Sequence, residues 1–197
     1  MDSSCLSTKT PDTPEIDPIR PLRLWAKRLS QPLPEIVFCP GNELPEAIRH
    51  LLDHRRPMTS TLAKHHGARI ALDVVTQTIE DHLVDRVVRL RTKSSEKTVV
   101  EAAALQIHVD ALPVDARSAV FSGAEPLGTV LKSRAIAHQH RPQGFFTGRT
   151  NAWLADLLQL PAGSPIAGRC NVILSSQNEL IAEIVECIPN PEPAAEA

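Results

Sequence analysis

The segment "AGRCNVILSSQNELIAEIVECIP", residues 167–189, holds two runs of apolar and β-branched residues on either side of the polar turn Ser-Ser-Gln-Asn. Such runs read as two strands of a hairpin. A turn this short joins only antiparallel neighbours, so the hairpin sets the sheet antiparallel. Side chains along a strand alternate between its faces. In the second run Leu180, Ala182, Ile184, Glu186 and Ile188 share one face; Ile181, Glu183, Val185 and Cys187 share the other. Whichever face is buried, a glutamate enters an apolar row, and strand parity leaves open whether it is Glu186 or Glu183.

Working outward, "LVDRVVRLRT" (83–92) and "KTVVEAAALQIHVD" (97–110) flank the turn "KSSE", and "ARIALDVVTQTI" (68–79) precedes them as a further strand. Helical periodicity marks "ELPEAIRHLLDH" (43–54), whose Leu44, Ala47, Ile48, Leu51 and Leu52 form one stripe. "MTSTLAKHHG" (58–67) reads as a short helix started by Thr59 or Ser60 and stopped by Gly67. "PLGTVLKSR" (126–134) and "AWLADLLQL" (152–160) are two more helices. No βαβ alternation is present, so the expected class is α+β, helices packed on an antiparallel sheet.

A chain of 197 residues suits one substantial domain. Residues 1–32, rich in Pro, Ser and Thr, are expected to be disordered or loosely packed, 33–190 to form the domain, and 191–197 to be a loose tail. The net charge of −2, with 3% aromatics and no tyrosine, argues against a nucleic-acid partner. No apolar run reaches the ~20 residues of a membrane span. No signal or transit segment is evident, so a cytoplasmic location is expected. The four cysteines, at 5, 39, 170 and 187, lack CxxC spacing and read as reduced thiols.

No phosphate loop, dinucleotide loop, HExxH or GxSxG occurs. His138 and His140 have two-ligand spacing on a strand and His65–His66 sit together, but no further ligand is identifiable, so no metal and no cofactor are expected. Arg86 lies in an apolar row with Val84, Val88 and Leu90. A buried arginine needs an anion. Two readings stand: an internal ion pair with Glu186 or Glu101, or a guanidinium kept for a ligand carboxylate. Glu186 likewise is either a satisfied buried acid or a carboxyl whose raised pKa suits proton transfer.

From about residue 44 to 189 the order of elements resembles the chorismate pyruvate-lyase family and its bacterial and archaeal relatives. "RPMTSTLAKHHGARIALDVV", "LVDRVVRL", "EPLGTVL" and the closing hairpin carry the resemblance. It implies a sheet of about six antiparallel strands with helices on one side, enclosing an internal ligand cavity. It also implies cofactor-independent elimination of pyruvate from chorismate to give 4-hydroxybenzoate, as in ubiquinone biosynthesis. Arg86 and Glu186 would then be the catalytic pair, Arg86 holding a ring carboxylate and Glu186 taking the proton. Met58 and Leu127 would wall the substrate. Glu183 is the alternative acid, because some members place the glutamate four residues before the proline, and Glu186 is three before Pro189. Where some members have Ala-Gly-Arg, this chain has "EAAAL" (101–105), adding Glu101. The same fold serves as the ligand-sensing domain of a class of bacterial repressors, whose winged-helix DNA-binding domain finds no room here. The alternative function is therefore non-catalytic binding of a small aromatic carboxylate in the same pocket, by a monomer or dimer.

Overall fold

The computed structural model describes residues 17–190. Seven strands form one antiparallel sheet: β1 (Glu35–Cys39), β2 (Ile70–Glu80), β3 (Leu83–Thr92), β4 (Val99–His108), β5 (His138–Arg149), β6 (Pro165–Ser175) and β7 (Leu180–Pro189). Their order across the sheet is β1-β5-β6-β7-β4-β3-β2. The β6–β7 hairpin lies at the centre, which is why both its faces are apolar and nearly all its residues are buried. The α+β class and antiparallel sheet are those the hairpin dictates.

The helices are α1 (Arg20–Arg28), α2 (Glu46–Leu52), α3 (Met58–His66), α4 (Val114–Ser122), α5 (Leu127–Ser133) and α6 (Ala152–Leu158). One sheet face presents Val84, Val88, Leu105, Ile107 and Ile184 to α4 and α5, and continues through Leu90, Ala167 and Ile188 to α2 and α3. The opposite face, with Val87, Ala104, Val185 and Cys187, is covered by Trp25 and Leu22 of α1 and by Leu154 and Leu158 of α6. Asn151 caps α6, its side chain accepting the Leu154 N–H at 3.1 Å. Gly67 ends α3 at φ 58°, as its placement in the sequence predicts. The start of α3 differs: Thr59 and Ser60 lie inside it, and Ser60 Oγ donates back to the Pro57 carbonyl at 2.9 Å.

Four elements depart from the sequence reading, one of them α4, a stretch to which the sequence reading assigns no helix. Residues 17–32 are not loose: α1 opens with Pro21 in its first turn and buries Leu22, Trp25 and Ala26. Arg28 pairs with Asp85 at 2.6 Å and Arg20 with Glu183 at 3.3 Å, tying α1 to β3 and β7. The remaining expectations for the termini, over 1–16 and 191–197, fall outside the described residues. Strands β1 and β5 were also unanticipated. β5, "HQHRPQGFFTGR", is poor in β-formers and carries a bulge between Pro142 and Gly144, so its conformation comes from pairing along β6 rather than from propensity. Gly168 of β6 is required: an added Cβ would meet the Phe146 ring at 2.2 Å and the Glu186 carbonyl at 2.3 Å.

Candidate functional site

Pairing register fixes what the cavity-side face displays. Arg86 faces Leu105, which faces Ile184; one step along, Val88 faces Ala103, which faces Glu186, which faces Arg169; one step further, Leu90 faces Glu101. The small Ala103 leaves space above the sheet centre. The N-terminal turns of α3 (Met58, Thr59) and α5 (Leu127, Gly128), each entered through a proline, close over it. The result is a cavity of about 70 Å³. One water needs roughly 10–15 Å³, so the space holds a small molecule or several waters. Its walls are mostly aliphatic (Leu72, Val88, Leu105, Ile173 and Ile184 among them), and its polar members are Arg86, Glu101, His140, Glu186 and Thr59.

Four of the five residues singled out in the sequence, Met58, Arg86, Leu127 and Glu186, line this cavity. Glu183 does not. It stands on the other sheet face, 3.3 Å from Arg20 and 3.7 Å from His108, because odd-numbered β7 positions point toward α1.

Arg86 is 2% exposed. Its Nε donates to Gln77 Oε1 at 2.7 Å and its Nη2 to the Val120 carbonyl at the end of α4. No described carboxylate lies within ion-pair distance, and burial alone lowers its pKa. Neither ion pair considered from the sequence, with Glu186 or with Glu101, forms. Glu186 is held instead by Arg169, which is fully buried: Nε donates to Oε2, and Nη2 to Oε1 at 3.4 Å. Arg169 also donates to the carbonyls of Leu52 (3.2 Å), His54 (2.9 Å) and Arg56 (3.4 Å), fastening the α2–α3 connection to the sheet. Sequence reasoning missed this pair. A turn centred on Ser-Ser-Gln-Asn alone would set residue 169 opposite Ile184; the irregularity between Ile173 and Leu174 shifts the register so that Arg169 faces Glu186.

Two further polar groups in the lining are unmatched. Glu101 is 2% exposed and its Oε2 is buried without a hydrogen-bond partner. Burial first, then the neighbouring Glu186 charge, raises its pKa well above the carboxylate range, with Arg169 opposing. Both causes favour its protonated form. His140 Nδ1 lies 3.1 Å from Asn171 Nδ2, and its Nε2 is buried without a partner. Burial and the Arg169 charge push its pKa down to about 4, so the ring is neutral. Among the described residues no group of His, Cys, Asp and Glu could hold a metal ion, and no helix is long and apolar enough to cross a membrane.

No family model matches the sequence, and no curated protein matches it. Solved structures do share the fold. The effector domain of PhnF from Mycobacterium smegmatis aligns with a TM-score of 0.53 at 16% identity, over 68% of this chain and 88% of that one. PhnF from the same organism aligns equally well, over 85% of each chain. The C-terminal domain of the histidine utilization repressor from Pseudomonas syringae pv. tomato aligns at 0.44 and 12% identity, over 66% of this chain and 97% of that one. Identities this low establish the fold alone. The identification as a chorismate pyruvate-lyase is corrected: the structure aligned at 0.53 whose role is stated is an effector domain, not a lyase. Lyase activity on chorismate, with release of 4-hydroxybenzoate and pyruvate, and a place in ubiquinone biosynthesis go with it. The geometry agrees, since the carboxylate cast as the base is already committed to Arg169.

Proposed function

We propose that this domain is a non-catalytic receptor for a small carboxylic acid with an apolar body, bound in the cavity through Arg86. The observation that carries this is a buried guanidinium with no acid partner among the described residues, in the wall of a mostly aliphatic cavity. An interior charge is costly unless matched, and Gln77 and the Val120 carbonyl are neutral acceptors. A ligand carboxylate supplies the missing charge and engages the remaining guanidinium N–H groups. Met58, Leu127 and the aliphatic floor exclude water from that contact, which strengthens it. With Glu186 tied to Arg169 and His140 neutral, no poised base remains, which supports binding rather than turnover. The effector domain that shares the fold supports the same reading.

Calorimetric titration with benzoate and 4-hydroxybenzoate tests it. Both should bind, and Arg86→Ala should weaken them by about 1.5–3 kcal/mol, the worth of a hydrogen bond to a charged group. Affinity unchanged in Arg86→Ala would remove the anion site.

A further inference from the structure

An anion on Arg86 leaves one lining group unused. Glu101 reaches the cavity from β4, and its Oε2 is buried without a partner. No described residue pairs with that oxygen, and the nearby cation, Arg169, is taken by Glu186. Arg86 sits opposite Leu105, four positions along β4 from Glu101, which sets the two backbones about 13 Å apart at ~3.3 Å per residue. The cavity thus carries an unmatched guanidinium toward one end and an unmatched carboxyl toward the other, with Leu105, Ala103 and Val88 between them.

A ligand with a carboxylate alone satisfies one end. A dicarboxylate brings a second negative charge against Glu101 and Glu186. We propose that the cavity takes a zwitterionic acid, its carboxylate on Arg86 and its ammonium group on Glu101, with an apolar spacer between: an ω-amino acid or an aminomethyl-substituted aromatic acid. This rests on the binding role proposed for Arg86. An α-amino acid carries both charges on one carbon and does not span the two ends.

Binding of this kind moves a proton. In the empty cavity burial and Glu186 favour the protonated form of Glu101, against the pull of Arg169. Arg86 and His140 are the other polar groups on the walls around it, and His140 stays neutral throughout. When the ammonium arrives, the Glu101 O–H bond breaks, the proton leaves to buffer, and a carboxylate–ammonium pair replaces it.

Calorimetry on the full chain near neutral pH, in phosphate and in Tris, separates the outcomes with three probes sharing one ring: 4-methylbenzoate, 4-(aminomethyl)benzoate and terephthalate. The aminomethyl acid should bind about tenfold tighter than the methyl acid or better, the worth of one charge-assisted hydrogen bond. Its binding heat should differ between the two buffers as one proton is released. Glu101→Gln should erase both the preference for the aminomethyl acid over the methyl acid and the proton release. Equal affinities for the methyl and aminomethyl acids, tighter binding of terephthalate, or a preference that survives Glu101→Gln would overturn the inference while leaving the Arg86 site standing. The proton count on the unaltered protein decides the matter even if the variant misfolds. If no probe binds, or Arg86→Ala binds them all as well, the anion site falls and this inference with it.

Discussion

Arg169 can be removed cleanly. The side chain is fully buried, donates twice to Glu186 and reaches three carbonyls of the α2–α3 connection. Replacing it with Met keeps much of the volume but leaves the Glu186 carboxylate in an apolar enclosure, and breaking a buried pair in this way costs about 3–5 kcal/mol. The freed carbonyls add to that cost where water does not reach them. For a chain of this size each kcal/mol moves Tm by roughly 2–4 °C, so a fall of about 6–20 °C is expected. Urea and thermal denaturation of Arg169→Met, Glu186→Met and the double variant form the experiment. The double variant should be more stable than Arg169→Met, because replacing both partners leaves no lone charge. A single-variant loss under about 1 kcal/mol, or a double variant whose loss is the sum of the two singles, would refute the claim that these groups satisfy one another.

Other perturbations probe the frame around the cavity. Gly168→Ala should destabilise by about 1–3 kcal/mol or prevent folding, because its methyl must displace the buried Phe146 ring; chemical denaturation reads this. Trp25→Ala should cost about 3–5 kcal/mol by emptying the α1 contact with the sheet, and protease should then cut α1 before the core. The histidines predict a pH effect of definite sign. His54 and His140 are both pushed down to about 4 from an ordinary value near 6.5, so the unfolded chain takes up protons that the folded one refuses. The stability they contribute is present above pH 6.5 and is lost as pH falls toward 4; His140→Gln should flatten that slope in urea melts at stepped pH. Glu101 runs the other way: its raised pKa makes stability decline as pH rises above the ordinary carboxylate range, and Glu101→Gln should remove that decline.

The sequence carried the centre of this fold better than its edges. The β6–β7 hairpin and the β3–β4 pair are rich in Val, Ile and Leu, so propensity and pairing agree and the strands could be read directly. β5, with its histidines, Pro142 and two glycines, could not, because only its neighbours make it a strand. α1 was hidden by the prolines around it: Pro18 and Pro21 read as loop markers, yet proline suits the opening of a helix. Arg86 and Glu186 were found because a charge in an apolar row is conspicuous. Their partners were not, since choosing between Glu186, Glu101 and Arg169 depends on cross-strand register rather than on the run of one strand. Function ran further still from the residues: a guanidinium and a carboxylate in apolar rows read equally as a reacting pair or as a binding site, and the run of one strand does not show that Arg169 engages the carboxylate.

Adjacent residues of β3 carry opposite charges to opposite sides, Asp85 to Arg28 of α1 and Arg86 to the end of α4. A slip of β3 by one residue in one direction would set Arg86 against the cation of Arg28, and in the other would set Asp85 against the oxygen of Val120. Either single-residue slip therefore meets like against like on one side of the sheet. This dipeptide works as a key cut on both edges, turning away a single-step misfit in either direction.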